Sequence, residues 1–383
     1  MIRRQGTVSK QDLKEQSTLT VSTLTRVLEE LVELGLILEV GYGESTGGRR
    51  PILYRINPTY AYVFGLDISR TYSKLVLCDL DLRKKDEKRW KMSDRMTPEM
   101  LIEEVLSAAR NMLDRHQISI LSILGMGVGA VGPLDRSRGL ILDPRFFPAP
   151  GWNQVQIRAL LEAKLDIPVF LDNGVNTAIL GEYWKDSVNR YQHLLYIHAG
   201  VGLRLSMISE GKIVHGAVDV EGSAGQMIIQ ADGLPHRDPD GNYGSWESYA
   251  SLYAMEQRAR SLLKQGRESL LSSMVNNGDE VTYAMLVQAL KEKDALALEI
   301  VTQAATYFGI GLANLLNILH PEKVILGGPL HTDDELFFQV ATRVAIQKTY
   351  QYPSYQVVFA NSSLGEDGVA IGASVMVTNQ LAE

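Results

Sequence analysis

The sequence predicts an α/β protein with a small helix-turn-helix head and a larger body in two parts. Three observations predict it: apolar residues at helical spacing early in the chain, two short strand-like runs around a glycine-arginine loop, and a strand-turn-strand pattern that begins at Tyr62 and again at Leu194. At roughly 150 residues per domain, 383 residues allow two or three domains. Apolar residues at 45% and charged residues at 22% exclude disordered, collagen-like and disulfide-stapled classes. The single cysteine, Cys78, can form neither an internal disulfide nor a thiolate zinc cage, as befits a reducing cytoplasm. No apolar run approaches the ~20 residues that span a bilayer, and Met1-Ile2-Arg3-Arg4 leads into no signal-like stretch, so a cytoplasmic protein without a membrane partner is expected.

Formal charge is -7, but it is unevenly spread. Through Pro58 there are eight Lys/Arg against seven acids, a near-neutral head on an acidic body. Leu13, Leu19, Val21, Leu24, Val27, Leu28, Leu31 and Leu34 fall largely at helical spacings interrupted at Ser17-Thr18, which reads as two helices and a turn. Thr20 is placed to cap the second helix, 21–34, and Gly35 to end it in a left-handed conformation. Residues 36–40 and 52–56 then read as a hairpin, completing a winged helix-turn-helix. The first turn of the second helix is the part that enters a major groove, so Val21, Ser22, Thr23, Thr25 and Arg26 are the expected base and phosphate contacts. In Gly47-Gly48-Arg49-Arg50-Pro51, flexible backbone beside two cations suits a minor-groove wing, with Gly48, Arg49 and Arg50 as contacts. Thr7-Val8-Ser9 reads as a turn, leaving little room for the first helix of a three-helix module.

In the body, strands are expected at 62–68 and 73–81, and again at 194–198 and 203–209, the second pair joined by Ala199-Gly200-Val201-Gly202. Further strands at 123–131, 168–171, 323–326 and 356–359 alternate with helices at 98–116, 154–164 and 301–319. Such alternation makes two related α/β lobes with a cleft.

Several segments together carry a more specific resemblance. They are Gly47-Gly48-Arg49-Arg50-Pro51 with Asn57-Pro58, Gly65-Leu66-Asp67-Ile68, Gly127-Val128-Gly129-Ala130-Val131-Gly132-Pro133-Leu134-Asp135, Gly151-Trp152, Leu171-Asp172-Asn173-Gly174-Val175-Asn176, Ala224-Gly225, Gly327-Gly328 and residues 365–373. The chain resembles the ROK family, which groups bacterial sugar-responsive repressors with sugar kinases of the actin-like, ribonuclease-H-like ATPase fold. Kinase members lack the winged helix, so the resemblance is to the repressor branch. It implies a DNA-binding domain over 1–58, a first ROK lobe over 59–174 plus 363–383, and a second over 175–362.

Departures from the family pattern imply lost chemistry. The kinase turn Asp-x-Gly-Gly-Thr reads Asp67-Ile68-Ser69-Arg70-Thr71 here, and the second phosphate turn ends in Arg204 where the family has glycine. The family's general base, an aspartate, is Gly174. Asp172 is two residues away, a shift of about 6 to 7 Å along a strand. No catalytic residue and no enzyme activity are therefore expected. The family's four zinc ligands read Ile229, Asp238, Asp240 and Ser245, so no metal is expected. Sugar-contact positions read Asn173, Gln226 for glutamate, Ile229 for histidine and a retained Glu247, leaving Asn173, Gln226 and Glu247 as the expected effector residues. Arg70 and Arg204 are candidate anion-binding residues, with local pairing or plugging of an unused cleft as the competing reading.

The leading expectation is a sequence-specific DNA-binding regulator, a repressor of carbohydrate-use genes. Its kinase-dead body senses a sugar-related metabolite, it needs no cofactor, and it binds a palindromic operator as a homodimer or higher oligomer. The competing readings are a ligand-independent regulator whose body only oligomerises, and an active sugar kinase.

Overall fold

The computed structural model describes residues 2–44, 50–186, 191–218, 221–275, 278–332, 335–350 and 352–381. These form two compact units, 1–190 with 367–383, and 191–366.

The head opens with a four-residue helix α1 (Ile2–Gln5), strand β1 (Val8–Ser9), α2 (Lys10–Glu15) and α3 (Val21–Glu33), followed by β2 (Ile37–Tyr42) and β3 (Ile52–Ile56). Ser9 and Asp12 make a reciprocal capping box on α2, and the Thr20 hydroxyl accepts from the Thr23 N–H on α3. Gly35 ends α3 at φ +73°, where a side chain would be strained. The reading of Thr7-Val8-Ser9 as a turn is corrected: Val8 pairs with Tyr54, giving a three-stranded sheet in the order β1-β3-β2. The pairing is worth its cost because it turns Val8 inward, to 3% exposure, onto Leu13, Leu24, Leu28, Ile37 and Ile56. Leu19, Val21 and Leu34, counted with the helical stripe, are instead exposed. The same apolar cluster continues into Ala61 and Leu80, so it crosses the expected boundary at 58.

The rest of the first unit is β4 (Tyr62–Ile68), β5 (Tyr72–Asp79), β6 (Lys84–Lys91), α4 (Pro98–His116), β7 (Ile123–Ala130), the short pair β8 (Leu134–Asp135) and β9 (Leu140–Ile141), α5 (Ile157–Leu165), β10 (Val169–Asn173), α6 (Gly174–Lys185) and a C-terminal helix, Gly368–Gln380. Its sheet runs β10-β7-β4-β5-β6, with β4 antiparallel to β5 and parallel to β7. The C-terminal helix lies directly on the strands: a Cβ on Gly127 would stand 1.9 Å from the Ala373 carbonyl oxygen. It meets α6 as closely, since a Cβ on Gly372 would stand 1.6 Å from the Thr177 carbonyl oxygen. That contact keeps α6 in the first unit, so the break falls at 190/191 and not at the expected 174/175.

The second unit repeats the plan. Its elements are β11 (Leu194–Ala199), β12 (Leu203–Ser209), β13 (Lys212–Ile213), α7 (Glu247–Ala250), α8 (Leu252–Lys264), α9 (Leu271–Met274), α10 (Tyr283–Lys291), α11 (Ala295–Leu319), β14 (Lys323–Gly327), α12 (Pro329–Thr332), α13 (Glu335–Lys348) and β15 (Val358–Asn361). The sheet order β13-β12-β11-β14-β15 matches that of the first unit strand for strand, with β11 antiparallel to β12 and parallel to β14. Helix α11 has 25 residues and is, by length and composition alone, apolar enough to cross a membrane. Leu296, Ile300, Phe308, Leu312 and Leu316 on it are buried in the core of the second unit.

Candidate functional site

On the head, Val21, Ser22 and Arg26 are exposed at the start of α3. Thr20 Oγ1 lies 3.0 Å from the Ser22 hydroxyl and 2.9 Å from that of Thr23, grouping three hydroxyls at one helix end. Arg26 reaches only Glu30, 3.7 Å away in an exposed pair that holds it weakly. Thr25 differs from its neighbours. Its hydroxyl donates to the Val21 carbonyl at 2.8 Å and accepts from Lys10 at 3.1 Å, so it braces α3 against α2. Gly48 and Arg49 lie outside the described residues; Arg50 is described and exposed.

The head is also tied to the body of its own unit. The Arg3 guanidinium sits over the Trp184 ring, 4.5 Å from its centroid, and donates to Asn379 of the C-terminal helix at 3.2 Å. Trp184 is near the end of α6. Asn173 caps the other end, its side chain accepting from the Val175 N–H at 3.2 Å. The neighbouring Asp172 accepts from Asn176 at 2.8 Å and stands 3.8 Å from Arg136. Gly174 has room for a Cβ, which would make ordinary contacts with Val369 at 3.5 Å.

The two turns that resemble phosphate loops are closed on themselves. Ser69 donates through its hydroxyl to the Tyr72 carbonyl at 2.6 Å, and Arg70 donates to the Arg145 carbonyl at 2.7 Å. In the second turn the Leu203 N–H donates to Glu247 at 2.7 Å, and a Cβ on Gly202 would stand 2.7 Å from that carboxylate. Arg204 pairs locally, with the Leu203 carbonyl at 3.2 Å and Glu247 at 3.9 Å.

Gln226 and Glu247 come together in the second unit, joined by a residue that sequence reasoning missed. His236, its side chain 5% exposed, places Nε2 3.3 Å from Glu247 Oε1 and 3.0 Å from Gln226 Nε2. The Asp238 N–H donates to His236 Nδ1 at 2.9 Å, and the Asn242 N–H donates to Gln226 Oε1 at 2.8 Å. The hydrogen bond to Glu247 holds the imidazole above its ordinary pKa against the opposing effect of burial. Burial pushes the Glu247 carboxyl up, yet His236, Arg204 and the Leu203 N–H outweigh it and leave it below the usual range. The available signal was a histidine in the same loop where the family's histidine position had become Ile229.

The positions that match the family's zinc ligands make other contacts. Ile229 packs on the apolar core, Ser245 Oγ lies 2.7 Å from Ser248 Oγ, and Asp238 accepts from the Asp240 N–H at 3.2 Å. Among the described residues, no three His, Cys, Asp or Glu side chains converge as a metal group. Asn173 and Arg70 belong to the first unit, and Gln226, Glu247 and Arg204 to the second.

A helix-turn-helix with a hairpin, ahead of two copies of one five-stranded α/β plan, defines a winged head on an actin-like body. The particular family follows from comparison: the ROK family model matches residues 63–380, and the chain belongs to the ROK family. Among curated proteins it is 29% identical to the xylose repressor of Caldicellulosiruptor bescii, over 98% of this chain and 92% of that one. It is 27% identical to the DNA-binding transcriptional dual regulator NagC of Escherichia coli K12, over 88% and 80%. Among solved structures, a ROK family transcriptional regulator described as a homologue of the E. coli MLC protein superposes with TM-score 0.79 at 19% identity, over 97% of this chain and 91% of that one. A ROK glucokinase from Streptomyces griseus, in complex with glucose and AMPPNP, superposes with TM-score 0.70 at 22% identity, covering 83% of this chain and all of its own, 100%. These structural likenesses concern the fold; the family holds both repressors and kinases.

Proposed function

We propose that the protein is a cytoplasmic, sequence-specific DNA-binding repressor of carbohydrate-use genes, acting as a homodimer on a palindromic operator and released by a sugar-related effector. The observation that carries the reading is the continuous connection within the first unit: the exposed start of α3 for DNA, Arg3 tying the head to Trp184, and α6 ending at the Asn173 cap. Val21, Ser22, Thr23 and Arg26 face the major groove, Thr25 positions α3, and Gly48, Arg49 and Arg50 form the minor-groove wing. An effector contact at Asn173 acts on α6, and through Arg3 on the placement of the head, while Gln226 and Glu247 are the candidate effector contacts of the second unit. The effector works only by its differential affinity for the free and operator-bound forms. Names of relatives such as the xylose repressor support this reading.

Phosphoryl transfer is not part of the function. Gly174 offers no base, and the Leu203 N–H and Arg70 are occupied within the chain. Arg70 and Arg204 therefore serve as local braces and not as anion ligands.

The test is recovery of genomic fragments by the purified full chain at fixed salt, because phosphate contacts alone imitate affinity at low salt. The reading expects a few fragments sharing a two-fold site, lost in Arg49→Ala/Arg50→Ala at about 1 to 3 kcal/mol per contact. Equal recovery by the double variant would remove the wing, and recovery of no fragment would remove the reading.

A further inference from the structure

The second unit contains a pocket of about 340 Å³ between the 230–235 loop and helices α7, α8 and α11, whose lining includes none of Gln226, His236 and Glu247. We propose that this pocket is a second, separate binding site, and that its ligand is a mono- or disaccharide. The site has three layers. Its floor is apolar and fully buried, with Met255 and Ile300 at 1% and 2% exposure. Its wall is the ring pair Tyr249 and Tyr307, with centroids 4.4 Å apart and planes tilted by 36°. Its rim carries Asp232, Arg258 and Gln303.

The wall is rigid. The Tyr249 hydroxyl accepts from the Leu234 N–H at 2.7 Å, and a Cβ on Gly233 would stand 2.3 Å from that hydroxyl, so the loop is glycine-bearing where it crosses the ring. The rim, in contrast, is uncommitted: among the described residues no hydrogen bond or ion pair engages Asp232, Arg258 or Gln303, and Arg258 exerts only a longer-range pull on Glu299. A carboxylate, a guanidinium and a carboxamide are planar groups that each take two neighbouring hydroxyls. Tyrosine faces accept the C–H face of a pyranose ring. Asp232 disfavours an anionic ligand, and the mixed rim disfavours a purely apolar one. The volume lies at the small end of the ~300 to 1,000 Å³ range of small-molecule pockets, the size class of one or two sugar rings.

The experiment titrates the full chain with D-xylose, N-acetylglucosamine, cellobiose and maltose, reading binding by calorimetry and by saturation-transfer NMR. Three variants are compared: Arg258→Met, Tyr307→Ala and His236→Gln. The expected result is binding of at least one sugar that survives His236→Gln and weakens about tenfold in Arg258→Met. Arg258 is exposed, so its removal leaves the fold intact. Absence of binding by all four sugars at about 10 mM overturns the proposal. So does binding that His236→Gln abolishes and Arg258→Met leaves unchanged, which would put the sugar in the other cluster. A changed sedimentation coefficient in Tyr307→Ala would assign the face to contact between copies and overturn it as well. Loss of DNA binding in the wing variant has no bearing on these titrations, so failure of the repressor reading and failure of this one are distinguishable.

Discussion

The two units share one sheet topology and spend their polar residues differently. In the first, polar groups join elements: Lys74 on β5, 5% exposed, meets Asp367 at the start of the C-terminal helix at 2.5 Å, and Arg3 fastens the head to α6. In the second, polar groups gather in one place, where Glu247, His236 and Gln226 saturate one another and the ends of their own loop. The difference teaches that a duplicated fold divides labour. One copy uses its polar side chains to join the head and the C-terminal helix to the rest of the unit, and the other gathers them into a single internally paired cluster.

The largest expected effect tests the link. Asp367→Asn leaves a buried lysine without its carboxylate, and should cost about 3 kcal/mol in urea unfolding. Burial raises the Asp367 carboxyl, but Lys74 and Lys84 outweigh it and hold its pKa below the usual value. This stability is therefore present above the unfolded aspartate pKa and lost as pH falls through the lower folded value. A variant as stable as the parent would dissolve the contrast between the units.

Next is transmission. Arg3→Ala should leave operator affinity within a factor of about two, while removing the effector's 1 to 3 kcal/mol of coupling, measured by operator titrations with and without sugar. An unchanged effector response would place the signal route outside α6.

A smaller effect sharpens the other side. The hydrogen bond between His236 and Glu247 contributes on the order of 1 kcal/mol. A raised histidine pKa means that this contribution is complete below the unfolded value near 6.5 and is lost as pH rises through the folded value. Glu247, lowered, keeps its share above its unfolded value and loses it only at more acid pH. Thermal melting should thus decline as pH rises past the unfolded histidine value in the parent, and that decline should flatten in His236→Gln.

Least visible should be Gly174→Asp. Its Cβ has ordinary space, so melting should move little, and ATP turnover with sugar should stay at background because Arg70 and Glu247 still occupy the two turns. Turnover above background would fail the kinase-dead reading.

Much of this architecture was legible before any coordinates. Strands β3 and β12 fall on the predicted residues, and α3 carries the expected Thr20 cap and Gly35 stop, because hydropathy period and end-capping are local properties. Strand β1 was hidden because two residues carry no period; Val8 is a strand only by virtue of Tyr54 across from it. The membership of α6 was hidden because Thr177 and Gly372 are far apart in the chain. Among candidate contacts, exposure at Val21, Ser22 and Arg26 agreed with the helix register, whereas the bracing of Thr25 by Lys10 depended on how α2 crosses α3.

By itself, then, the sequence determined the helix and hairpin of the head, the strand pair that opens each five-stranded sheet, the glycine at position 174 and the absence of a thiolate ligand set, since each depends on local pattern or on which residue occupies a position. Tertiary structure alone decided that His236 completes the Gln226 and Glu247 cluster, that Arg3 grips Trp184, and that Tyr249 and Tyr307 line a pocket. Those are pairings between distant residues, and their energies arise only when the folded backbone brings burial, charge and hydrogen-bond geometry to the same point.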